Sequence, residues 1–114
     1  MKTALGPAWS KTAIVMATEF GRTAGVNGTK GTDHGTATVA FVLGGAVAGG
    51  QIKATWPGLA TNQLFENRDL APTTDLRTVA KGMLTSHLGL DTGALGKVFP
   101  GSDGVGAMAG LIRA

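Results

Sequence analysis

Two short polar motifs hold the residues of this chain whose types and spacing could carry chemistry. Glu19 and Arg22 lie in the first motif, and Asp33 and His34 lie in the second. Carboxylates and a neutral imidazole are ligands for divalent cations, and the planar guanidinium of arginine suits phosphate, sulfate or carboxylate. The sequence therefore offers Glu19, Asp33 and His34 as metal ligands and Arg22 as an anion-binding residue.

Each motif also has a structural interpretation that needs no ligand. Glu19 and Arg22 could form an ion pair, which at a strand end often contributes under about 1 kcal/mol. Asp33 could orient His34 through a hydrogen bond without any metal nearby. The residues alone leave these alternatives open.

Apolar runs beside the two motifs predict the elements that position them. Residues 12–18 and 36–43 form continuous apolar runs, which are typical of strands buried on both faces. Open α/β sheets bind ligands beyond the carboxyl ends of their strands, and Glu19 follows the first run. His34 comes just before the second run. Residues 51–56 predict a shorter strand that ends at a Pro-Gly turn.

The strongest helix signal covers residues 74–88, where apolar residues recur at the three- and four-residue spacing of one buried face. Thr73 or Thr74 is the expected N-cap, and Gly89 can take the left-handed conformation that ends a helix. His87 falls in the last turn, where a structural role near the negative end of the helix explains it.

The C-terminal part of the chain predicts less structure. Residues 92–98 predict a short second helix, and residues from Pro100 onward predict a loose tail.

Composition limits the classes of protein that fit. The chain has 114 residues and 19 glycines, a length that suits one small domain with long glycine-rich loops. It has no cysteine, which excludes disulfides, thiolate nucleophiles and cysteine-bound zinc. The net charge of +3 comes from scattered Lys and Arg, which predicts no nucleic-acid partner. No apolar segment approaches the roughly 20 residues of a membrane span, so no membrane partner is predicted.

Several motifs, in order along nearly the whole chain, resemble one bacterial family, the domain of unknown function 1501. That family is placed with alkaline phosphatases, sulfatases and metal-dependent phosphomutases, whose α/β fold binds two metals at strand ends. The motifs that carry the resemblance are residues 18–23, 31–35, 41–45, 49–50, 56–59, 68–77 and 98–101.

The resemblance implies an α/β fold and only part of a domain. Residues 1–114 look like one partial domain, the C-terminal segment of an alkaline-phosphatase-like fold. A small, mostly parallel or mixed sheet with few helices is then expected. The family's upstream region, which carries the nucleophile and the first metal ligands, has no counterpart in these residues. Many family members are exported, whereas this chain shows no export signal, so its location stays open.

Two alignments to the metal ligands of that superfamily can be drawn. The first matches Asp33 and His34 to a ligand Asp-His pair, but no buried strand lies directly ahead of them. The second places Glu19 and Phe20 at that pair and makes His34 the later ligand, followed by the run 36–43 as the pattern requires. We prefer the second, in which Phe20 cannot bind metal and one metal position is depleted or lost.

The resemblance then implies a divalent metal, namely zinc, calcium, manganese or magnesium. Glu19 and His34 would bind it, Asp33 would orient His34, and Arg22 would hold a phosphate or sulfate ester. Ser10 and Thr12 are expected to be capping or solvent-facing residues rather than nucleophiles, so the chain alone should be inactive. The alternative is a non-catalytic binding or assembly module that self-associates or pairs with the missing N-terminal region.

Overall fold

The computed structural model of the protein describes residues 1–114, which fold into two compact units. Each unit is assembled from stretches that are separated along the chain. Unit 1 comprises Met1–Val15, Val42–Ile52 and Asp75–Ala114, and unit 2 comprises Met16–Phe41 and Lys53–Thr74.

Unit 1 begins with a short helix α1, Lys2–Leu5, and a 3₁₀-helix, Gly6–Lys11. Its main element is helix α2, Leu76–Leu88, which confirms the helix predicted over residues 74–88. Gly89 ends α2 in the left-handed conformation, with φ 70°, as expected. The predicted N-cap was wrong: Asp75 caps the helix, because its carboxylate accepts from the Arg77 backbone N–H and also binds the Arg77 guanidinium.

Helix α3 occupies Thr92–Val98, with the bounds that the sequence predicts. Asp91 is its N-cap and accepts a hydrogen bond of 2.7 Å from the backbone N–H of Ala94. A carboxylate at this position satisfies a free N–H of the first turn and favours the positive end of the helix dipole. The local capping signal therefore determines where α3 begins.

The expected loose tail beyond Pro100 is wrong. Ser102 is only 2% exposed, and Leu111 is buried. Buried Lys81 of α2 donates from Nζ to the backbone carbonyls of Ser102 and Val105, at 2.6 and 2.8 Å. The C-terminal residues thus fold back on α2, because its ammonium group supplies donors for a turn that has no helix or sheet partner.

The core of unit 1 forms between α2 and this C-terminal segment. Val79 and Met83 of α2 pack with Leu111. Gly82 lies between them, and the Met108 carbonyl approaches so closely that a side chain at this position would overlap it. The partly buried residues around this core are Ala13, Val42, Met108 and Ile112.

Met83→Ala should lower the free energy of unfolding of unit 1 by about 3 kcal/mol, because it removes a buried side chain and leaves a cavity. The matched control is Met16→Ala, since Met16 is 55% exposed, and a change within about 0.5 kcal/mol is expected there. Urea unfolding followed by circular dichroism measures both. Equal losses in the two variants would contradict this description of the core.

The two long apolar runs form shorter strands than predicted. Strand β1, Ile14–Met16, pairs with strand β4, Phe41–Leu43, in a two-stranded sheet. The expectation that these strands are buried on both faces is wrong, because Met16 and Phe41 remain exposed while Val42 packs on the core of unit 1. The run 51–56, predicted as a strand, forms none.

Unit 2 contains strands β2, Gly21–Arg22, and β3, His34–Gly35, with a 3₁₀-helix at Thr61–Gln63. β2 and β3 pair antiparallel. Helices together with small sheets make the chain compatible with the α/β class. None of the helices has the length and apolar character that crossing a membrane requires.

Candidate functional site

The two polar motifs of the sequence meet in a β-ribbon within unit 2, formed by strands β2 and β3. Arg22 lies directly across from His34, and Gly21 lies across from Gly35. The Thr23 N–H extends the ladder by donating to the Asp33 carbonyl at 3.1 Å. Arg22 and His34, which a loop separates in sequence, are therefore held at the spacing of directly opposed residues in neighbouring strands.

One face of this ribbon holds a cation, an imidazole and an aromatic ring. Directly opposed residues in an antiparallel pair share a face, so Arg22 and His34 lie side by side. The Phe20 ring stacks on His34, with ring centroids 4.8 Å apart and an angle of 20° between the planes. Arg22 Nη1 donates to the Thr32 carbonyl at 3.1 Å, which leaves the other guanidinium N–H groups available to an anion.

The opposite face of the ribbon holds Asp33. Its backbone N–H donates to Thr23 Oγ1 at 3.0 Å, and its Oδ1 accepts from Asn27 Nδ2 at 2.8 Å. The structure contains no hydrogen bond between Asp33 and His34, so the expected orientation of His34 by Asp33 is not present. Consecutive residues of a strand point to opposite faces, which explains why adjacent side chains are separated here.

Asn27 shapes the loop that joins the two strands. Its Oδ1 accepts hydrogen bonds from the backbone N–H groups of Thr29 and Gly31, each 3.0 Å long. Such bonds let an Asn side chain replace backbone partners in a tight loop. Asp33 and Asn27 are thus parts of the same support for the ribbon.

An open cleft of about 470 Å³, contained entirely in unit 2, is lined in part by Asp33, Thr23 and Asn27. Its charged lining residues are Asp33 and Arg68, and Arg68 was not among the residues chosen from the sequence. The sequence signal that could have identified Arg68 is its position in residues 68–77, one of the motifs that resemble the family. The cleft is lined by Thr23, Ala24, Gly25, Val26, Asn27, Asp33, Leu59, Thr61, Leu64, Asn67 and Arg68.

Asp69 is a buried carboxylate that links three parts of unit 2. It is 4% exposed, its Oδ1 accepts from Arg68 Nε at 2.7 Å, and its Oδ2 accepts from Thr36 Oγ1 at 2.8 Å. Its backbone bridges to Thr23 and to Phe65. The hydrogen bond from Arg68, followed by that from Thr36, lowers the pKa of Asp69 below its ordinary value of 3.8.

Glu19 is exposed and immediately precedes Phe20, so it lies next to the residue that stacks on His34. The structure contains no group of three or more His, Cys, Asp or Glu side chains that are close enough together to hold a metal ion. Protein metal sites generally use three or more protein ligands.

The hydroxyls near the start of the chain are engaged in local backbone contacts. Ser10 Oγ donates to the Pro7 carbonyl at 2.9 Å, and Thr12 Oγ1 donates to the Ala8 carbonyl at 2.8 Å. Each hydroxyl thus bonds within its own turn of the chain, and Ser10 is exposed to solvent, as expected. His87 lies in the last turn of α2, in unit 1, and Arg22 and His34 belong to unit 2.

Comparison with known proteins identifies a family for this chain. No curated protein and no solved structure shows significant similarity to the chain. The family model described as "Protein of unknown function (DUF1501)" matches residues 1–99, which include both polar motifs and the β2–β3 ribbon. The chain therefore belongs to the DUF1501 family.

Proposed function

We propose that this chain supplies part of a metal-dependent centre for hydrolysis of phosphate or sulfate esters, within the C-terminal portion of an alkaline-phosphatase-like fold. The observation that supports it is the β2–β3 ribbon, which puts Arg22 across from His34 and stacks Phe20 on the imidazole. This is the proximity that the preferred alignment requires between the Glu19-Phe20 motif and His34.

The residues of the two motifs have complementary roles in the proposal. Glu19 and His34 contribute two ligands to a divalent cation, and Arg22 holds an anionic ester oxygen through its free N–H groups. Phe20 fixes the plane of the imidazole by stacking on it. Asp33, on the other face, supports the ribbon through Thr23 and Asn27 instead of sharing the ion with His34.

The chain as given supplies no residue that we can assign as an activated nucleophile. A nucleophilic hydroxyl needs an adjacent base or a metal, and Ser10 and Thr12 instead donate to backbone carbonyls nearby. The 114-residue chain should therefore bind metal and anion without turning over phosphate or sulfate esters. Turnover with added zinc or manganese that disappears in Glu19→Ala would contradict this part of the proposal.

Calorimetry with Zn²⁺ tests the metal ligands. We expect binding at neutral pH that weakens in acid, because a protonated imidazole cannot ligate a metal. Glu19→Gln and His34→Gln should each weaken binding by roughly tenfold or more. Loss of a residue that only supports a metal ligand already has an effect of this size. His87→Gln is the matched control, since the chain has two histidines and His87 lies in unit 1.

Titration with inorganic phosphate tests the anion residue separately. Arg22→Gln should abolish phosphate binding by the zinc-loaded chain, whereas Lys97→Gln, which removes an exposed charge from α3, should leave it unchanged. No zinc binding at neutral pH, or equal losses in His34→Gln and His87→Gln, would overturn the metal assignment. Equal losses in Arg22→Gln and Lys97→Gln would show only a general charge effect.

A non-catalytic binding or assembly module is the second candidate. It is favoured by large apolar side chains that remain exposed in unit 2, among them Val26, Val39 and Trp56. Exposed apolar surface commonly marks a protein contact. Zinc and phosphate titrations without any heat, together with concentration-dependent association, would favour this candidate over the hydrolase centre.

A further inference from the structure

Residues 51–56 form an exposed segment that belongs to no helix or strand and has no strand partner. No helix, turn or bend occurs between residues 51 and 58. The positive φ angles nearby belong to Gly50 and Gly58, at 77° and 98°, so they flank this stretch. Trp56 precedes a proline, which restricts it to extended conformations. We call residues 51–56 the free strand.

The backbone N–H and C=O groups of the free strand make no hydrogen bond within the chain. Two of its apolar side chains face water, since Ile52 is 95% exposed and Trp56 is 65% exposed. The sequence predicts a strand over these residues, and the chain provides no neighbour for it. An unpaired strand of this kind is a template for pairing with another strand.

We propose that the free strand pairs antiparallel with the free strand of a second copy of this chain, with Ala54 directly across from Ala54 of that copy. Side chains alternate between the faces of a strand, so Ile52, Ala54 and Trp56 share one face. In this register Ile52 lies opposite Trp56 of the second copy, and Trp56 lies opposite its Ile52. Aromatic and β-branched residues are favourable cross-strand partners.

Charge supports the same register. Lys53 is the only charged residue of the free strand, and it lies opposite Thr55 of the second copy instead of opposite another lysine. A shift by one residue would put Ile52 opposite Thr55 and mix the apolar with the polar face. The pattern is thus self-complementary about a twofold axis, which is the requirement for an isologous dimer.

The ends of the paired stretch also fit. Pro57 follows the free strand and would lie across from Gln51, at the edge of the ladder, where its missing N–H interrupts no inner hydrogen bond. The pairing uses only residues of this continuous segment and does not depend on the proposed metal centre. A second copy is therefore the partner that the residue pattern itself specifies.

Analytical ultracentrifugation over a hundredfold range of protein concentration tests the dimer. The unmodified chain should dimerise with increasing concentration. Ala54→Glu places two carboxylates opposite each other and should weaken the dimer about tenfold or more. Ala107→Glu adds the same charge at an exposed loop position and should leave the association unchanged.

Cysteine cross-linking tests the register, because the chain has no cysteine. Ala54→Cys should form a disulfide-linked dimer readily on oxidation, since opposed Cα atoms lie within the range that a disulfide spans. Lys53→Cys should cross-link poorly, because its diagonal neighbour lies roughly 7–8 Å away. Each variant is checked for native circular dichroism first.

Three results would overturn the proposal. A chain that stays monomeric over the whole concentration range has no free-strand dimer. Association that survives Ala54→Glu unchanged must use another surface, including pairing through the β1–β4 sheet. Cross-linking of Lys53→Cys as fast as Ala54→Cys would show that any pairing has a different register.

Discussion

Gly35→Ala is expected to destabilise unit 2 by about 3 kcal/mol or more, since no nearby group can move to accept the new side chain. A Cβ at this position would lie 2.5 Å from the carbonyl carbon of Arg22, 2.6 Å from its oxygen and 2.8 Å from the Thr23 nitrogen. All three atoms belong to the backbone of the facing strand. Ribbon β2–β3 must therefore separate, and Arg22 then loses its position across from His34.

The facing glycine is equally restricted, because a Cβ at Gly21 would lie 2.6 Å from the Gly35 carbonyl oxygen and closer still to the backbone of Thr36 and Ala37. Urea unfolding and amide hydrogen exchange at Thr23 measure the effect. The matched control is Gly28→Ala, because nothing lies within 4 Å of a Cβ there. A Gly35→Ala chain with unchanged protection at Thr23, or with the same loss as Gly28→Ala, would contradict the close glycine contact.

The helices of this protein are predictable from the sequence because their signals are local. Asp91 caps α3 within its own first turn, and Gly89 ends α2 through its own backbone freedom. The N-cap of α2 was missed by one residue, because Thr74 and Asp75 both satisfy the residue preference. Only the contact with Arg77 distinguishes them.

Burial is less predictable, because it depends on which distant segment covers an element. The run 12–18 has the composition of a strand buried on both faces, but only its first residues are partly buried, and Val15 and Met16 stay exposed. The tail beyond Pro100 has the composition of a loop, yet Lys81 binds its carbonyls and Leu111 completes the core. Neither contact leaves a periodic pattern in the sequence.

The arrangement of the candidate site was predictable only in part, because it too depends on contacts between distant segments. The sequence assigned Glu19 and His34 to one cation and Arg22 to an anion, and the structure places Arg22 across from His34. The sequence could not assign Asp33 to the opposite face, because the alternation of side chains matters only once the strand bounds are known. Asp69 was missed because its role depends on contacts with Thr36, far away along the chain.

Protonation of Asp69 should destabilise unit 2 in acid. Its pKa in the folded chain lies below the ordinary value of 3.8, so its contribution to stability is fully present above that pH. The contribution is lost as the pH falls through the folded pKa, because the protonated carboxyl no longer accepts from both Arg68 and Thr36. Amide signals of unit 2, followed by NMR from about pH 6 to about pH 2, should report this loss.

Asp69→Asn separates this carboxylate from other acid-sensitive groups. The amide keeps one acceptor but presents a donor to the other partner, so at neutral pH the folding equilibrium constant of unit 2 should fall about tenfold. The loss of stability in acid should then be smaller than in the unmodified chain. Thr36→Val is the matched variant, since it removes one hydroxyl donor and leaves the pair with Arg68, and it should show a smaller loss.

Acid also titrates Asp75, and unit 1 must be followed separately. The Arg77 side chain, and then its backbone N–H, lower the pKa of Asp75 to about 2. The capping contribution to α2 is therefore fully present above pH 3.8 and is lost as the pH falls towards about 2. Asp69→Asn should leave this loss in unit 1 unchanged. If Asp69→Asn keeps the full acid dependence of unit 2, then Asp69 is not the carboxylate on which the stability of that unit depends.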